Sequence, residues 1–338
     1  MSQFYQDDIF FINDSPGPAW WLSPDIWING DATGPPKPPA SPAEATKDTT
    51  RLFVRVHRNP PDTTTNAQLD VYIGNPSLVM TPAAGTFPLP SQLVAAGTFT
   101  NDVSVVEVPW TPKPDPKDSN DPQGVGHRCV IARAYRFDDP APNTFQVPVE
   151  PHEAQLNIQI VSVAPAGPNF AGAGTGMAGT AVGEPIGPSE DGLWEFRIDT
   201  TLPAEAESER VRITVATPDP KEFLRGIPKD RRPCRSFEGF AKPTRRFSLD
   251  FDLPDEDLPT VRGGKRPFRP KVGQMAFDER RSRAKVDVEL AAKRVARFGL
   301  KADVSDTPPG QAQIFALEQT DAKGRSQGGL TVIFYRAE

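Results

Sequence analysis

Proline is the residue that most limits how this chain can fold. The 338 residues include 39 prolines, whereas an average usage of roughly 5% would give about 17. Because proline lacks a backbone N–H and clashes inside a helix, an architecture of long helices is excluded. Hydrophobic residues still make up 37% of the chain and include 20 Phe, which is enough to build hydrophobic cores. A folded protein without long helices is therefore expected.

Short runs of alternating apolar and polar residues lie between the prolines. In residues 51–57, for example, Leu52, Val54 and Val56 fall on one side of an extended chain. A period of two indicates half-buried antiparallel strands. The other candidate strands lie at 69–73, 103–110, 128–137, 156–163, 194–198, 211–215, 247–253, 286–290, 298–304, 314–317 and 330–334. The predicted fold class is all-β, with two immunoglobulin-like antiparallel β-sandwich domains.

The proline-rich and glycine-rich stretches divide the chain into four predicted regions. Residues 1–48 form an aromatic N-terminal arm with a proline-rich spacer, and residues 49–164 form the first sandwich. Residues 165–190 form an Ala/Gly/Pro linker, and residues 191–338 form the second sandwich, with a charged Pro/Arg-rich insertion at about 218–285. The candidate strands are nearly free of proline, as central strands should be, so the prolines mark the connections.

The charge and hydropathy of the chain exclude two classes of partner. A net charge of -6 gives no general attraction to nucleic acid or to anionic membranes. No apolar run approaches the roughly 20 residues that a membrane-spanning helix needs, so membrane insertion is not expected. Residues 1–11 contain Asp7 and Asp8 and lack the basic and apolar regions of a Sec signal. We therefore expect synthesis in the cytoplasm, after which the protein either works where it is made or leaves, within a released particle or by a non-Sec route.

Residues suited to catalysis are few. Cys129 and Cys234 are too far apart in sequence to indicate a disulfide framework or a two-cysteine zinc site. No HExxH, GxSxG, Walker or dinucleotide-binding motif occurs. His127 and Cys129 would lie on the same side of one strand, as a nucleophile and its base could, but Cys129 also fits a small buried core residue. We favour the second interpretation and predict no enzyme activity and no cofactor.

Three of the five tryptophans, Trp20, Trp21 and Trp27, lie close together in the N-terminal arm. Aromatic side chains often anchor interfaces, so these residues are candidates for docking a protein partner or a carbohydrate. The alternative is that they fold back onto their own sandwich or seal a boundary between subunits. The sequence leaves both interpretations open.

A basic stretch at residues 229–246 is the second candidate docking surface. Its arginines are Arg231, Arg232, Arg235, Arg245 and Arg246. Such a surface could bind phosphate or acidic groups, but the acidic run at residues 249–258 suggests that the two stretches neutralise each other within or between subunits. Nucleic acid is not an expected partner. Asp250, Asp252, Asp255 and Asp257 could hold calcium, yet Asp250 and Asp252 alternate with apolar residues as on a solvent-facing strand, so no metal site is predicted.

Five segments of the first half resemble a known family. They read LFVRVH, LDVYIGN, VEVPWTP, GHRCVIARAYRFDDP and LNIQIVSV, with Trp-x-Pro at 110–112, Gly126 and Asp138 in the positions that the family pattern expects. Residues 51–163 are therefore similar to the bacterial CARDB family, immunoglobulin-like β-sandwiches of roughly a hundred residues. The resemblance implies a spacer, adhesion or accessory domain, and the second half is similar only in its strand pattern.

These observations predict a non-enzymatic structural or binding module. It would be a β-sandwich component of a larger bacterial or phage-like assembly or surface, with protein partners or self-association. The alternative is a carbohydrate- or calcium-dependent adhesion or accessory module, and a third, more remote alternative is an enzyme that uses Cys129.

Overall fold

The structure is a computed structural model. It describes residues 9–13, 19–28, 52–59, 63–74, 77–81, 86–110, 129–138, 145, 147, 150–163, 185–186, 193–203, 206–223, 225, 239–254, 258, 268–278 and 282–336.

The first half of the chain forms two sheets. Its strands are β1 (Phe10–Phe11), β2 (Ile26–Ile28), β3 (Leu52–Arg58), β4 (Ala67–Gly74), β5 (Thr86–Pro88), β6 (Gln92–Val94), β7 (Val103–Val108), β8 (Cys129–Arg136) and β9 (Glu153–Leu156). In one sheet, β3 pairs with β7 on one side and with β1 and β2 on the other. In the other sheet, β4 pairs with β8 and with the short strands β5 and β6, and β8 pairs with β9. All these pairings are antiparallel.

The second half also forms two sheets. Its strands are β10 (Ile158–Val163), β11 (Pro185–Ile186), β12 (Trp194–Thr200), β13 (Glu209–Ala216), β14 (Gly239–Phe240), β15 (Phe247–Asp250), β16 (Lys271–Val272), β17 (Ala276–Asp278), β18 (Arg283–Leu290), β19 (Ala296–Ala302), β20 (Gln311–Thr320) and β21 (Ser326–Arg336), with the short helix α1 (Pro220–Phe223). The smaller sheet has the order β11-β12-β19-β15. The larger has the order β10-β21-β20-β13-β18-β16, with β14 beside β20 and β17 beside β18.

Each half has a hydrophobic core, and that of the second half extends to Leu78, Cys129 and Ile131 of the first half. In the first half, Leu52 and Val54 of β3 face Leu69 and Val71 of β4. In the second, the core is rich in phenylalanine, and its buried rings include Phe196, Phe298, Phe315 and Phe334. Alternate residues of each strand thus point inward, as a sandwich requires. The predicted fold class, all-β with two antiparallel sandwiches, is confirmed.

The last strand predicted for the first sandwich, at residues 156–163, is divided at Asn157. β9 pairs with β8 of the first half, whereas β10 pairs in parallel with β21 of the second half. At the division, Asn157 Nδ2 donates to the carbonyl oxygens of Ser77 (2.7 Å) and Gly329 (2.5 Å). Asn157 is thus hydrogen-bonded to both halves and lies between β9 of one sheet and β10 of another. The proposed domain bounds, 49–164 and 191–338, remain predictions.

Two further sequence expectations meet the structure only in part. The N-terminal arm was expected to lack strands, yet its described residues include β1 and β2, which pair with β3. Most of the predicted linker at 165–190 lies outside the described residues, and residues 185–186 form β11. None of the helices in the described parts of the chain has the length and apolar character needed to cross a membrane.

Candidate functional site

The three arm tryptophans pack within the chain. Trp21 is buried, and its Nε1 donates to Thr331 Oγ1 on β21 at 2.9 Å. Trp27 is also buried and stacks on Phe53 of β3, with the ring centroids 5.6 Å apart. Two of the three candidate docking residues are therefore inside the structure. Trp27 thus packs on the first half, whereas Trp21 packs on β21 of the second half.

Trp20 is the tryptophan of this set that remains half-exposed. Its ring lies edge-on to the Trp21 ring, with the centroids 5.7 Å apart, and its Nε1 donates to Ser326 Oγ at 3.1 Å. A docking role for Trp20, Trp21 and Trp27 together stays a prediction, and in this conformation only Trp20 offers ring surface to a partner.

Two adjacent glycines of β21 allow the arm to approach the second sandwich. A Cβ on Gly329 would lie 2.1 Å from Cε3 of Trp21, and a Cβ on Gly328 would lie 1.8 Å from the carbonyl oxygen of Leu78. Both distances are far inside van der Waals contact, so neither position has room for a side chain. Trp21 and Leu22 then pack with Phe223, Ile314 and Ile333. We call this close-packed contact between Trp21 and Leu22 of the arm, residues 77–80 and β21 the arm junction.

The predicted basic surface is only partly described. Arg246 Nη1 pairs with Asp303 Oδ2 at 3.2 Å, and Arg245 is exposed. Arg231, Arg232 and Arg235 lie outside the described residues, so a docking role for the arginine set stays a prediction.

Some of the residues considered for catalysis or metal binding have partners in the structure, whereas Asp255 and Asp257 lie outside the described residues. Cys129 is buried, and its Sγ donates to Asn157 Oδ1; His127 lies outside the described residues. Asp250 accepts from Lys301 Nζ at 2.7 Å, and Asp252 pairs with Arg269 at 3.4 Å. In the portion of the chain that the structure describes, no group of three or more His, Cys, Asp or Glu is arranged to hold a metal ion.

One side of the second sandwich exposes apolar side chains from both sheets. β15 is the last strand of the smaller sheet, and β16 and β17 form the border of the larger sheet beside β18. Within the described ranges, no strand pairs with the outer side of these three. Val272, Met275 and Phe277 are 42%, 38% and 40% exposed. We call this side, formed by residues 247–252 and 269–278, the open edge.

The exposed residues of the open edge are directed toward the space between the two sheets. Val272 is in register with buried Val288, and Phe277 with buried Ala284, so both lie on the core face of the larger sheet. Across from them, Leu249 of β15 is in register with buried Leu300. Core-facing residues of both sheets therefore reach solvent at this side.

A cleft separates the two borders. At one end the sheets meet, because the rings of Phe247 and Phe277 contact edge to face with centroids 5.3 Å apart. Beyond this contact lies a cleft of about 380 Å³, with buried Val286 at its base. Its lining is Leu249, Asp250, Phe251, Asp252, Arg269, Pro270, Val272, Gly273, Met275 and Val286. A cleft of this size and lining can accept apolar side chains of a ligand.

Three charged side chains, Asp250, Asp252 and Arg269, lie at the rim of the cleft. Burial by itself would raise the pKa of Asp250, but the hydrogen bonds from Lys301 and from the backbone N–H of Asp252 outweigh it and hold the pKa below its ordinary value. Asp250 is therefore ionised at neutral pH and tied to Lys301. The open edge thus combines an apolar floor with a polar, ion-paired rim, which is the usual composition of a protein-binding patch.

The sequence analysis did not identify the open edge. The strand predicted at 247–253 corresponds to β15, but Val272, Met275 and Phe277 fall in a later part of the charged insertion, where the pattern predicted no strand. The available signal was three apolar residues, separated by two residues and by one, that follow a proline-rich basic run. Such a segment is too short to distinguish a border strand from a loop.

Comparison with known proteins gives limited information. Neither a protein-family model nor a curated protein matches this sequence. Among solved structures, the B domain of a biofilm-associated protein is 10% identical with a TM-score of 0.25, and the match covers 97% of this chain and 88% of that one. The partial N-terminal region of enterococcal surface protein is 8% identical with a TM-score of 0.25, covering 100% and 97%. The collagen adhesin of S. aureus is 6% identical with a TM-score of 0.20, covering 85% and 87%.

At TM-scores of this size, none of the three supports an inference about what this chain binds. The similarity of residues 51–163 to the CARDB family stays a prediction, since no family model matches.

Proposed function

We propose that this chain is a non-enzymatic binding module of a larger assembly, and that its open edge binds an extended segment of a protein partner. The observation that carries the proposal is the cleft between β15 and β16–β17, where Val272, Met275 and Phe277 are exposed and Leu249 of the smaller sheet is partly exposed. An extended segment placed there would bury Val272 and Met275 and pair its backbone with a sheet border. Strand addition of this kind is a common mode of peptide recognition.

The strand geometry supports this mode of binding. β16 has two residues and β17 has three, so the border of the larger sheet is short and interrupted at Gly273. Short, interrupted borders resist uncontrolled edge-to-edge pairing. Most of the binding free energy would therefore come from partner side chains that fill the cleft, and backbone pairing would contribute less. This division favours a specific protein segment over indiscriminate association.

The competing functions fit the described geometry less well. A carbohydrate platform built from the arm tryptophans needs several exposed rings, but Trp21 and Trp27 are buried and only Trp20 is partly exposed. A calcium site at the acidic run would need Asp250 and Asp252 as ligands, and these residues are paired with Lys301 and Arg269. A carbohydrate platform or a calcium site would therefore require these side chains to move, whereas protein binding at the open edge would not.

The proposal is tested with a neutral ten-residue probe peptide that alternates Phe or Val with Ser or Thr. Binding of the labelled peptide to the full chain is followed by fluorescence anisotropy, and we expect a dissociation constant on the order of 10 μM. The double variant Val272→Ser/Met275→Ser should weaken binding at least about tenfold, because it removes the apolar wall of the cleft.

A matched control uses exposed apolar residues of the first sandwich. Leu93 and Phe137 are 61% and 63% exposed, so Leu93→Ser/Phe137→Ser removes a similar number of exposed apolar side chains away from the open edge. We expect the control variant to bind like the unchanged chain. Equal loss in both double variants, or no binding by the unchanged chain, would overturn the proposal.

A further inference from the structure

The aromatic core of the second sandwich continues to the open edge along two series of phenylalanine rings. In the first series, Phe315 contacts Phe247 with centroids 5.8 Å apart, and Phe247 contacts Phe277 of β17. In the second series, buried Phe298 stacks on Phe251, with centroids 4.9 Å apart and the ring planes inclined by 25°. Each series begins at a buried ring and ends at the border of one sheet, so the aromatic core reaches both sides of the cleft.

Phe251 forms part of one wall of the cleft and is only half-buried. Its ring carries Phe298 on one face, and among the described residues no other ring is stacked on it. A ring inserted from the cleft side would therefore lengthen the stack. Offset-stacked and edge-to-face aromatic pairs are more favourable than burial of the same apolar area alone.

Met275 belongs to the wall that comes from the larger sheet, and it is 38% exposed. A thioether sulfur makes favourable contacts with the edge of an aromatic ring, and its flexible side chain adapts to the shape of a bound group. An aliphatic side chain in the cleft would gain area but not this contact. Both walls thus carry a group that favours an aromatic occupant over an aliphatic one.

The size of the cleft fits an aromatic side chain. Its volume is about 380 Å³, whereas an apolar cavity of roughly 150 Å³ is enough to hold benzene. The base of the cleft is buried Val286, so the inner end of an inserted ring would meet an apolar surface. A Phe or Trp side chain therefore has both the space and the surroundings that it needs.

The charged side chains at the rim give no preference for the sign of a partner's charge. Asp250 pairs with Lys301 at 2.7 Å, and Asp252 pairs with Arg269 at 3.4 Å. The charges of these two pairs balance. Selection at the cleft therefore depends on the shape and chemistry of the apolar side chain that enters it.

We infer that the partner segment inserts an aromatic side chain into the cleft, against Phe251 and Met275. This inference rests on the proposed function and specifies the chemistry of the partner. An aliphatic side chain of the same size would fill the same volume without the stacking contact or the sulfur contact.

The test uses three ten-residue probe peptides that alternate Val with Ser or Thr and differ at one central position. That position carries Phe, cyclohexylalanine or Ala. Cyclohexylalanine has nearly the shape of Phe but lacks its π electrons. Binding to the full chain is followed by fluorescence anisotropy, and we expect the Phe probe to bind about fivefold more tightly than the cyclohexylalanine probe, with the Ala probe weakest. Equal or tighter binding of the cyclohexylalanine probe would overturn the inference.

A conservative substitution places the ring in the cleft. Met275→Leu keeps the volume of the side chain and removes the sulfur, so the ratio between the Phe and cyclohexylalanine probes should fall to about half its value in the unchanged chain. The control is Met80→Leu, the same change at a buried residue that does not line the cleft, and it should leave the ratio as it is. Thermal unfolding checks that both variants are folded. A ratio that Met275→Leu does not change, or that Met80→Leu reduces equally, would contradict the inference.

The possible outcomes separate this inference from the proposed function. If no probe binds, the proposed function itself is wrong. If the Phe and cyclohexylalanine probes bind equally well, the open edge is a binding site, but it does not select an aromatic side chain.

Discussion

The arm junction and the open edge are both apolar surfaces at a margin of a sandwich, but only the arm junction is covered by another segment of the chain. At the arm junction, Trp21 is buried, its indole N–H is bonded to Thr331, and two glycines make room for the close approach. At the open edge, Val272, Met275 and Phe277 keep about two fifths of their surface exposed. Among the described residues, the chain thus covers one margin with its own N-terminal arm, whereas apolar side chains at the other margin stay partly exposed.

Removal of Trp21 should have the largest effect on stability. We expect Trp21→Ala to lower the free energy of unfolding by about 4 kcal/mol, because a large buried aromatic ring and its hydrogen bond are both lost. The measurement is urea unfolding at neutral pH. Trp20→Ala is the control, and it should cost about half as much or less, since Trp20 is half-exposed. Equal losses would show that the arm junction is no more tightly packed than its surroundings.

A side chain at Gly329 should have the next largest effect. We expect Gly329→Ala to destabilise the protein by about 2 to 3 kcal/mol, since the new Cβ would overlap the ring of Trp21. The matched control is Gly97→Ala, where a Cβ meets nothing within 4 Å and the change should stay within about 0.5 kcal/mol. Thermal unfolding of both variants tests the comparison. A neutral Gly329→Ala would mean that Trp21 can move away without loss.

Asp321, in the turn between β20 and β21, should link stability to pH. Burial by itself would raise the pKa of Asp321, but hydrogen bonds from Arg325 and from the backbone N–H of Lys323 outweigh it and hold the pKa below its ordinary value of 3.8. The group binds its proton less readily in the folded state than in the unfolded state. Its contribution to stability is therefore complete above about pH 4 and is lost as the pH falls through the folded pKa.

The variant Asp321→Asn isolates this contribution. We expect it to be less stable than the unchanged chain at pH 7 by about 1 kcal/mol, with the gap narrowing below pH 4. Asp138 is a suitable control because its pKa is also lowered, first of all by its hydrogen bond with Arg136, although the side chain is exposed. Asp138→Asn should change stability little at any pH. Urea unfolding between pH 3 and pH 7 measures both variants, and a gap that widens in acid would contradict the assignment.

The open edge should show the smallest effect on stability. We expect Val272→Ser/Met275→Ser to lower the free energy of unfolding by less than about 1 kcal/mol, because both residues lie at a border of the sandwich and are already 42% and 38% exposed. The same variant is the one expected to lose peptide binding. If it unfolds much more easily than the unchanged chain, these residues belong to the core and the margin is closed in solution.

The parts of the fold that follow from local pattern were predictable. Alternation in residues 51–57 and 286–290 indicated strands, which the structure gives as β3 and β18. The arm strands β1 and β2 were missed because two or three residues are too few to show a period. The division of the predicted strand at Asn157 was missed for a different reason. The Asn157 side chain contacts Ser77 and Gly329, which are distant in sequence, and a local pattern does not reveal contacts between distant residues.

The candidate site could not be predicted from the sequence. Met275 and Phe277 are apolar residues like many others in the chain, and their exposure follows from the order of strands in two sheets. Because β15 ends one sheet and β17 lies at the border of the other, the core residues beside them reach solvent. Strand order depends on pairings between distant segments, and no local window contains that information.

The hydrogen bond between Trp21 and Thr331 also has a consequence for how the protein is made. The two residues are 310 positions apart, so a ribosome that adds 5 to 20 residues per second needs about 15 to 60 s to supply the second after the first. Throughout that interval the Trp21 ring has no partner strand to cover it. The nascent chain therefore passes through a stage with an uncovered aromatic segment, and protection of that segment by a chaperone would be most valuable before β21 emerges.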